Sequence, residues 1–296
     1  MRSYSEYLNG IFPGMKVQKI SVNAGFTCPN RDGTIGTGGC IYCRNDSFSP
    51  SYCDSSKSIC QQIAAGKNFF ARKYPEMKYL VYFQSYTGTY GVDPSNLEKM
   101  WNEALAQKDV VGLVISTRPD SLTDKTLEIM TRINKEKRVL VEIGAETAND
   151  QTLQVINRNH SWHDVETTVG RISDKGLHCG LHLIAGLPGE DEETILETVR
   201  KAVSLPIETL KIHQLQILKD TILAHKWVND EIKIKSFSLQ EYLDLCVKIY
   251  QIVPEHIVIE RFLSQSPPEM VISPKWGLKN YEFMNKLANL LKEHNL

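Results

Sequence analysis

At 296 residues, with 42% hydrophobic and 23% charged side chains, the chain can form one α/β barrel or two ordinary domains around a large core, which excludes disorder for most of its length. A formal net charge of −1 gives no global basic signature of a nucleic-acid binder. No apolar run approaches the roughly 18 to 20 residues of a membrane helix, and the opening MRSYSEYLNGIF has no apolar secretory core, so the expectation is a cytoplasmic protein without a membrane segment.

After an N-terminal segment (1–14), short β-branched runs recur at Val17–Val22, Tyr79–Phe83, Val110–Ile115, Val139–Ile143, Leu177–Ile184 and Ile207–Ile217. Leu97, Met100, Trp101, Ala104 and Leu105 make a helical stripe between the second and third runs, and Ile195, Leu196, Val199, Ala202 and Val203 make another between the fifth and sixth. Six strands alternating with helices imply parallel pairing through right-handed crossovers. No GxGxxG or GxxxxGK[ST] pattern follows these strands, which disfavours a doubly wound nucleotide-binding sheet and favours a complete or partial barrel over 15–220. Such barrels collect their chemistry at the C-terminal strand ends.

Beyond Ile217 the pattern changes to a helix at Leu239–Ile252, a short strand at His256–Ile259, a loop with Pro267, Pro268 and Pro274, and a last helix at Tyr281–Leu291. Residues 221–296 therefore read as a small α/β extension packed on the barrel. Lys201, Lys211, Lys219, Lys226, Lys233 and Lys235 recur between the two parts with acids interleaved, which reads as a solvated face.

Seven cysteines, odd in number and unevenly spaced, fit metal or redox chemistry in a reducing compartment better than a disulfide framework. Cys28, Cys40 and Cys43 fall within sixteen residues, on a loop with four glycines after the first strand. Cys40 and Cys43 can present two thiolates to one metal centre, and three thiolates can hold three irons of a four-iron cube with the fourth left open. The alternative is a zinc knot completed by Cys53 or His160. Eleven residues between Cys28 and Cys40, and no second C-x-x-C, favour the cluster. Cys53, Cys60, Cys179 and Cys246 are scattered and read as small buried hydrophobes, which argues against an auxiliary cluster and against methylthio transfer.

The aromatic in Cys40-Ile-Tyr42-Cys43, after the first strand of such a barrel, resembles the signature of the radical S-adenosylmethionine (SAM) superfamily. The eleven-residue gap departs from the common C-x3-C-x2-C and is similar to the subgroup of the elongator catalytic subunit and the bacterial YhcC/YtqA type. GFTCPNRDGT (25–34), YFQSYTGTY (82–90), STRPD (116–120), ETANDQTL and INRNH (within 142–160) and HLIAGLPGE (182–190) carry the same likeness over most of 15–220.

The resemblance implies a partial (β/α)6 TIM-like barrel in which Cys28, Cys40 and Cys43 bind a [4Fe–4S] cluster and SAM chelates the open iron. It puts Tyr42 near the adenine, Gln84 and Ser85 at the methionine amino group, Arg158 at its carboxylate, and Glu142 and Glu146 at the ribose. His182 stands where some relatives carry an acid towards the ribose, and Gly186 lies in a turn that approaches adenine. An electron donor such as a flavodoxin or ferredoxin is implied, as is a tRNA substrate modified on the wobble-uridine C5 side chain.

Alternation along Leu210-Lys-Ile-His-Gln-Leu215 points Lys211 and His213 the same way, which makes them candidate catalytic residues facing the substrate. Arg261, Trp276 and Lys279 in the extension are weaker candidates, for which packing and surface charge are an adequate explanation. Two other readings stay open: a radical SAM enzyme acting on a small metabolite or peptide, and a non-catalytic zinc-stabilised nucleic-acid-binding protein.

Overall fold

Ser3 sets the first element: its hydroxyl accepts from the Glu6 amide and the Glu6 carboxylate takes the Ser3 amide, a capping box that starts α1 (Tyr4–Ile11). In the computed structural model, which describes residues 3–71, 76–294 and 296, there follow β1 (Val17–Val22), α2 (Ile59–Ala71), β2 (Lys78–Phe83), α3 (Pro94–Leu105), β3 (Val110–Thr117), α4 (Asp124–Asn134) and β4 (Arg138–Glu146). The second half runs α5 (Asp150–Val155), α6 (Trp162–Asp174), β5 (His178–Ala185), α7 (Glu192–Val203), β6 (Thr209–Gln214), β7 (Ile217–Leu218) and α8 (Ile222–Val228). It closes with α9 (Leu239–Ile252), β8 (Val258–Arg261), β9 (Val271–Ser273) and α10 (Asn280–Glu293).

The main sheet is parallel, in the order β1-β2-β3-β4-β5-β6-β8, and curls into the expected half-barrel. The strand expected at His256–Ile259 forms two residues later and is the seventh of this sheet, with Val258 opposite Thr209 and Ile259 opposite Leu210. The run expected at Ile207–Ile217 is divided. It stops at Gln214, whose side-chain amide binds both backbone groups of Ser264, and β7 turns away to pair antiparallel with β9.

Alternation then assigns the two faces. Ile20, Val81, Leu113, Val141, Leu181 and Ile212 join Trp101, Met130, Val169 and Val199 of the surrounding helices in the main core. On the inner face Leu80, Tyr82, Val114, Leu140 and Val258 form a separate cluster with Tyr7, Leu8 and Phe12. The N-terminal segment is thus the apolar floor of the half-barrel, and each such buried side chain contributes roughly 1.5 to 3 kcal/mol. Among the described residues no helix is long and apolar enough to cross a membrane.

Candidate active site

Above this floor the inner face becomes charged. Lys19 of β1, Tyr82 of β2, Glu142 of β4, His182 of β5, Lys211 of β6 and Glu260 of β8 meet inside the barrel. Lys19 lies 2.7 Å from both Glu142 and Glu260, and Lys211 lies 2.8 Å and 3.3 Å from the same two acids. The Tyr82 hydroxyl donates to Glu142 at 2.5 Å and His182 Nε2 contacts it at 2.8 Å. Two buried ammonium groups facing two buried carboxylates cancel, as burial requires.

Burial opposes each charge, yet Lys19 and Lys211 hold Glu142 well below the usual carboxylate range, and Glu142 and Glu260 hold Lys19 well above the usual ammonium range. Lys211 is different: burial brings it down to about 8 despite the same acids. Burial and the Lys211 charge also lower His182. Glu142 accepts, so His182 donates through Nε2 and keeps Nδ1 as an acceptor.

At the C-terminal ends of the strands stands the cysteine loop. Cys28 and Cys40 are buried and Cys43 is half-buried. Burial, then the neighbouring Cys40 and Cys28, push the Cys43 thiol up to about 12, so three thiolates gathered here need a cationic centre among them. The loop is clasped from across the barrel mouth. Asn30, fully buried, donates to the Asn157 carbonyl at 2.5 Å and accepts from the Asn159 side chain at 2.5 Å, while its Nδ2 stands 3.7 Å from the Cys40 sulfur. Asn157 in turn donates to the carbonyls of Thr37 and Gly39. Gly36 leaves space for this clasp, since a Cβ there would stand 2.4 Å from Asn30 Oδ1.

Asn157 and Asn159 both adopt positive φ, 55° and 56°, which Asn tolerates better than most residues. Arg158 is thereby turned inward between them. Its Nη1 donates to the Cys40 sulfur at 3.5 Å, its Nη2 to the Gly144 carbonyl at 2.6 Å, and Glu146 lies 3.1 Å away. Its Nε donates to His160 Nε2 at 2.9 Å, so His160 Nδ1 carries the proton and donates to the Ser161 carbonyl. Glu146 itself sits at φ 66° beside an irregularity of β4, a strained position of the kind that marks functional sites.

The arrangement does not favour a zinc knot. Both proposed fourth ligands are engaged elsewhere, His160 as just described and Cys53 with the Ser21 carbonyl at 2.9 Å. Among the described residues no three His, Cys, Asp or Glu side chains are grouped for a single metal ion. A four-iron cube takes one thiolate at each of three corners and so spreads them wider than a tetrahedral ion does. The donor set fits the cluster.

A cavity of about 1230 Å³ opens inside the half-barrel, larger than the roughly 300 to 1,000 Å³ of an ordinary small-ligand pocket. It brings together Cys28, Cys40, Tyr42 and Cys43 of the loop, Gln84 after β2, Glu146 and Arg158 around β4, and His182, Lys211 and His213 of β5 and β6. Three expected residues are not in its wall. Ser85 is buried two residues beyond the end of β2. Glu142 lies beneath, spent on the ionic layer. Gly186, at φ 90°, backs onto the extension, where a Cβ would meet Phe237 at 3.0 Å.

Sequence reasoning missed Lys19, Tyr82, Glu260, Asn30 and Arg118. The Arg118 guanidinium, 2% exposed, clamps Asp120 and donates to the Arg158 carbonyl, but its Nη1 has no partner. An orphaned buried donor in the cavity wall fits a ligand that brings an acceptor, such as the SAM carboxylate.

Residues 30–202 match the model of the radical SAM superfamily and residues 207–293 that of the radical SAM C-terminal domain. The chain is 33% identical over 284 residues to protein YhcC of Escherichia coli K12, covering 96% of this chain and 90% of that one. It is 25% identical over 211 residues to the tRNA uridine(34) acetyltransferase of Methanocaldococcus jannaschii, covering 70% of this chain and 37% of that one. The solved structure of Methanocaldococcus infernus Elp3 with an N-terminal deletion shares the fold at a TM-score of 0.70 and 17% identity, covering 95% of this chain and 64% of that one. With the family model matched over more than half of its length, the chain belongs to the radical SAM superfamily, and it is an enzyme that cleaves SAM reductively with a [4Fe–4S] cluster.

Proposed function

We propose that Cys28, Cys40 and Cys43 hold the cluster, that Tyr42, Gln84, Glu146 and Arg158 hold SAM, and that the substrate is a tRNA whose wobble-uridine C5 side chain enters the same cavity. The observation that carries this reading is the single cavity joining the three cysteines to Lys211 and His213. When bound, the cluster supplies the electron that splits SAM and so provides the radical that takes a hydrogen from the substrate.

The chain's own side chains orient and exclude. Arg158, shared between Glu146 and the Cys40 sulfur, offers charge to the SAM carboxylate, and Arg118 Nη1 adds a second donor. Glu146 takes the ribose hydroxyls, while Glu142 fixes the tautomer of His182 from below. His182 Nδ1 and the Lys211 ammonium are positioned to accept and return a proton at the substrate. The apolar floor keeps water from the far side.

The tRNA assignment rests on the likeness to tRNA uridine(34) acetyltransferases and Elp3. Most of that acetyltransferase has no counterpart in the aligned region, so acetyl transfer is not carried over. A cytoplasmic enzyme reduced by a flavodoxin or ferredoxin completes the proposal.

The test is anaerobic reconstitution and assay of 5′-deoxyadenosine under dithionite, with and without tRNA from cells lacking the gene, beside a variant with Cys28, Cys40 and Cys43 changed to Ala. Cleavage by the wild type alone, stimulated by that tRNA and accompanied by one altered nucleoside on mass analysis, is the expected result. Stimulation by a metabolite or peptide fraction free of RNA would replace the tRNA.

A further inference from the structure

We infer that Arg261, backed by His213, anchors an oxyanion of the substrate, a carboxylate or a phosphate. β8 slips its register against β6, so that Ile259 faces Leu210 but Arg261 faces Lys211. The slip brings both Glu260 and Arg261 to the cavity wall. Arg261 is then a strand-end cation inside the barrel and not a surface charge.

Its charge has no partner at contact distance, and it reaches Glu260 only at longer range. Lys19 and Lys211 use Glu142 and Glu260, and among the described residues no carboxylate lies within ion-pair distance of Arg261. Its hydrogen bond is made through Nε, to His213 Nε2 at 3.0 Å. A guanidinium only donates, so His213 is the acceptor and is neutral there. Burial and the Arg261 charge hold it so.

Among the described residues neither Nη group has a hydrogen-bond partner, while Nε is pinned. Besides Lys211 and Glu260, which pair with each other at 3.3 Å, the same wall carries amides and hydroxyls: Gln214 is tied to Ser264, and Ser266 donates to Gln216 at 2.8 Å. A permanently charged fork, oriented by one bond in the wall of the cavity, matches the two oxygens of a carboxylate or phosphate. The inference rests on the reading that this cavity receives the substrate.

The protein, reconstituted with its cluster and labelled with 15N-arginine, is titrated at constant ionic strength with acetate, inorganic phosphate or chloride. The Arg261 Nε–H signal is identified as the one lost in Arg261→Gln. A saturable shift with acetate or phosphate, absent with chloride, is expected, and the anion that saturates at the lower concentration names the group. Equal responses to all three, or none, overturn the site. A shift produced by SAM itself that abolishes the response to both anions also overturns it, by giving Arg261 to the cofactor.

The second arm uses tRNA from cells lacking the gene. Arg261→Gln should raise KM about tenfold or more, with Arg261→Lys between it and the wild type at equal iron content. An unchanged KM in both variants refutes a substrate role. If tRNA fails to stimulate the wild type, the tRNA proposal falls while the anion titration still decides Arg261.

Discussion

The guanidinium of Arg158 donates to the sulfur of Cys40 at 3.5 Å. If Cys40 ligates the cluster as proposed, a cation and an N–H on its thiolate favour the more negative, reduced state. Arg158→Gln should therefore lower the midpoint potential of the reconstituted protein, and Arg158→Lys, which keeps the charge, should lower it less. The same Gln variant leaves Glu146 buried without its partner, at a cost of about 3 kcal/mol. Redox titration and urea unfolding separate the two effects.

Asn30 is the centre of the clasp on the cysteine loop. Asn30→Ala leaves the Asn157 carbonyl and the Asn159 amide without their buried partner, a loss of about 1 to 3 kcal/mol. Because the loop between Cys28 and Cys40 is what the clasp holds, protease nicking should appear between 31 and 39 and iron per chain should fall. Equal nicking and equal iron in the variant and the wild type would remove the clasp from the account.

Glu142 neutralises two lysines at once. Glu142→Gln should cost about 3 to 5 kcal/mol, since Lys19 and Lys211 then share Glu260 alone. Removing Lys211 as well, in Glu142→Gln/Lys211→Met, should recover part of that loss, so that the double variant is more stable than the single Glu142→Gln chain. Denaturant midpoints for the cycle measure the coupling.

Glu190 supplies the pH dependence. Burial raises its carboxyl to about 7, although Thr147 donates to it at 2.5 Å. The folded chain holds a proton that the unfolded chain releases near the ordinary Glu value, so this group's contribution is present at low pH and is lost as pH rises towards 7. Glu190→Gln should remove that decline and stabilise the protein above pH 7 by on the order of 2 kcal/mol. Melting curves from pH 5 to 8 test the sign.

Much of the frame was legible because periodicity is a local property. Strands β1 to β6 lie where β-branched runs predict them, and period-2 alternation alone put Lys211 and His213 on one side of β6. The ionic layer was hidden because its members lie on six different strands, and only closure of the sheet shows that Lys19 and Glu260 are neighbours. Arg261 fell beyond the strand expected at His256–Ile259; β8 runs on to Arg261, and the slip opposite Leu210 and Lys211 brings it to the cavity wall. Gly186 sits in the turn expected of it, but no local pattern announces that Phe237 covers it. The asparagines of INRNH carried a signal, two residues tolerant of positive φ around one arginine, that was read only for the arginine.

The Lys19 to Glu260 bridge joins positions 241 residues apart. During synthesis Lys19 leaves the ribosome with the floor helix, and the acid that completes its neutralisation is not made until most of the chain has emerged. Glu142 of β4 can meet Lys19 first, but once Lys211 of β6 is made two lysines face one acid until Glu260 arrives. Final docking of β8 acts as a completion check, after which the cavity has the charge balance it needs to receive a ligand.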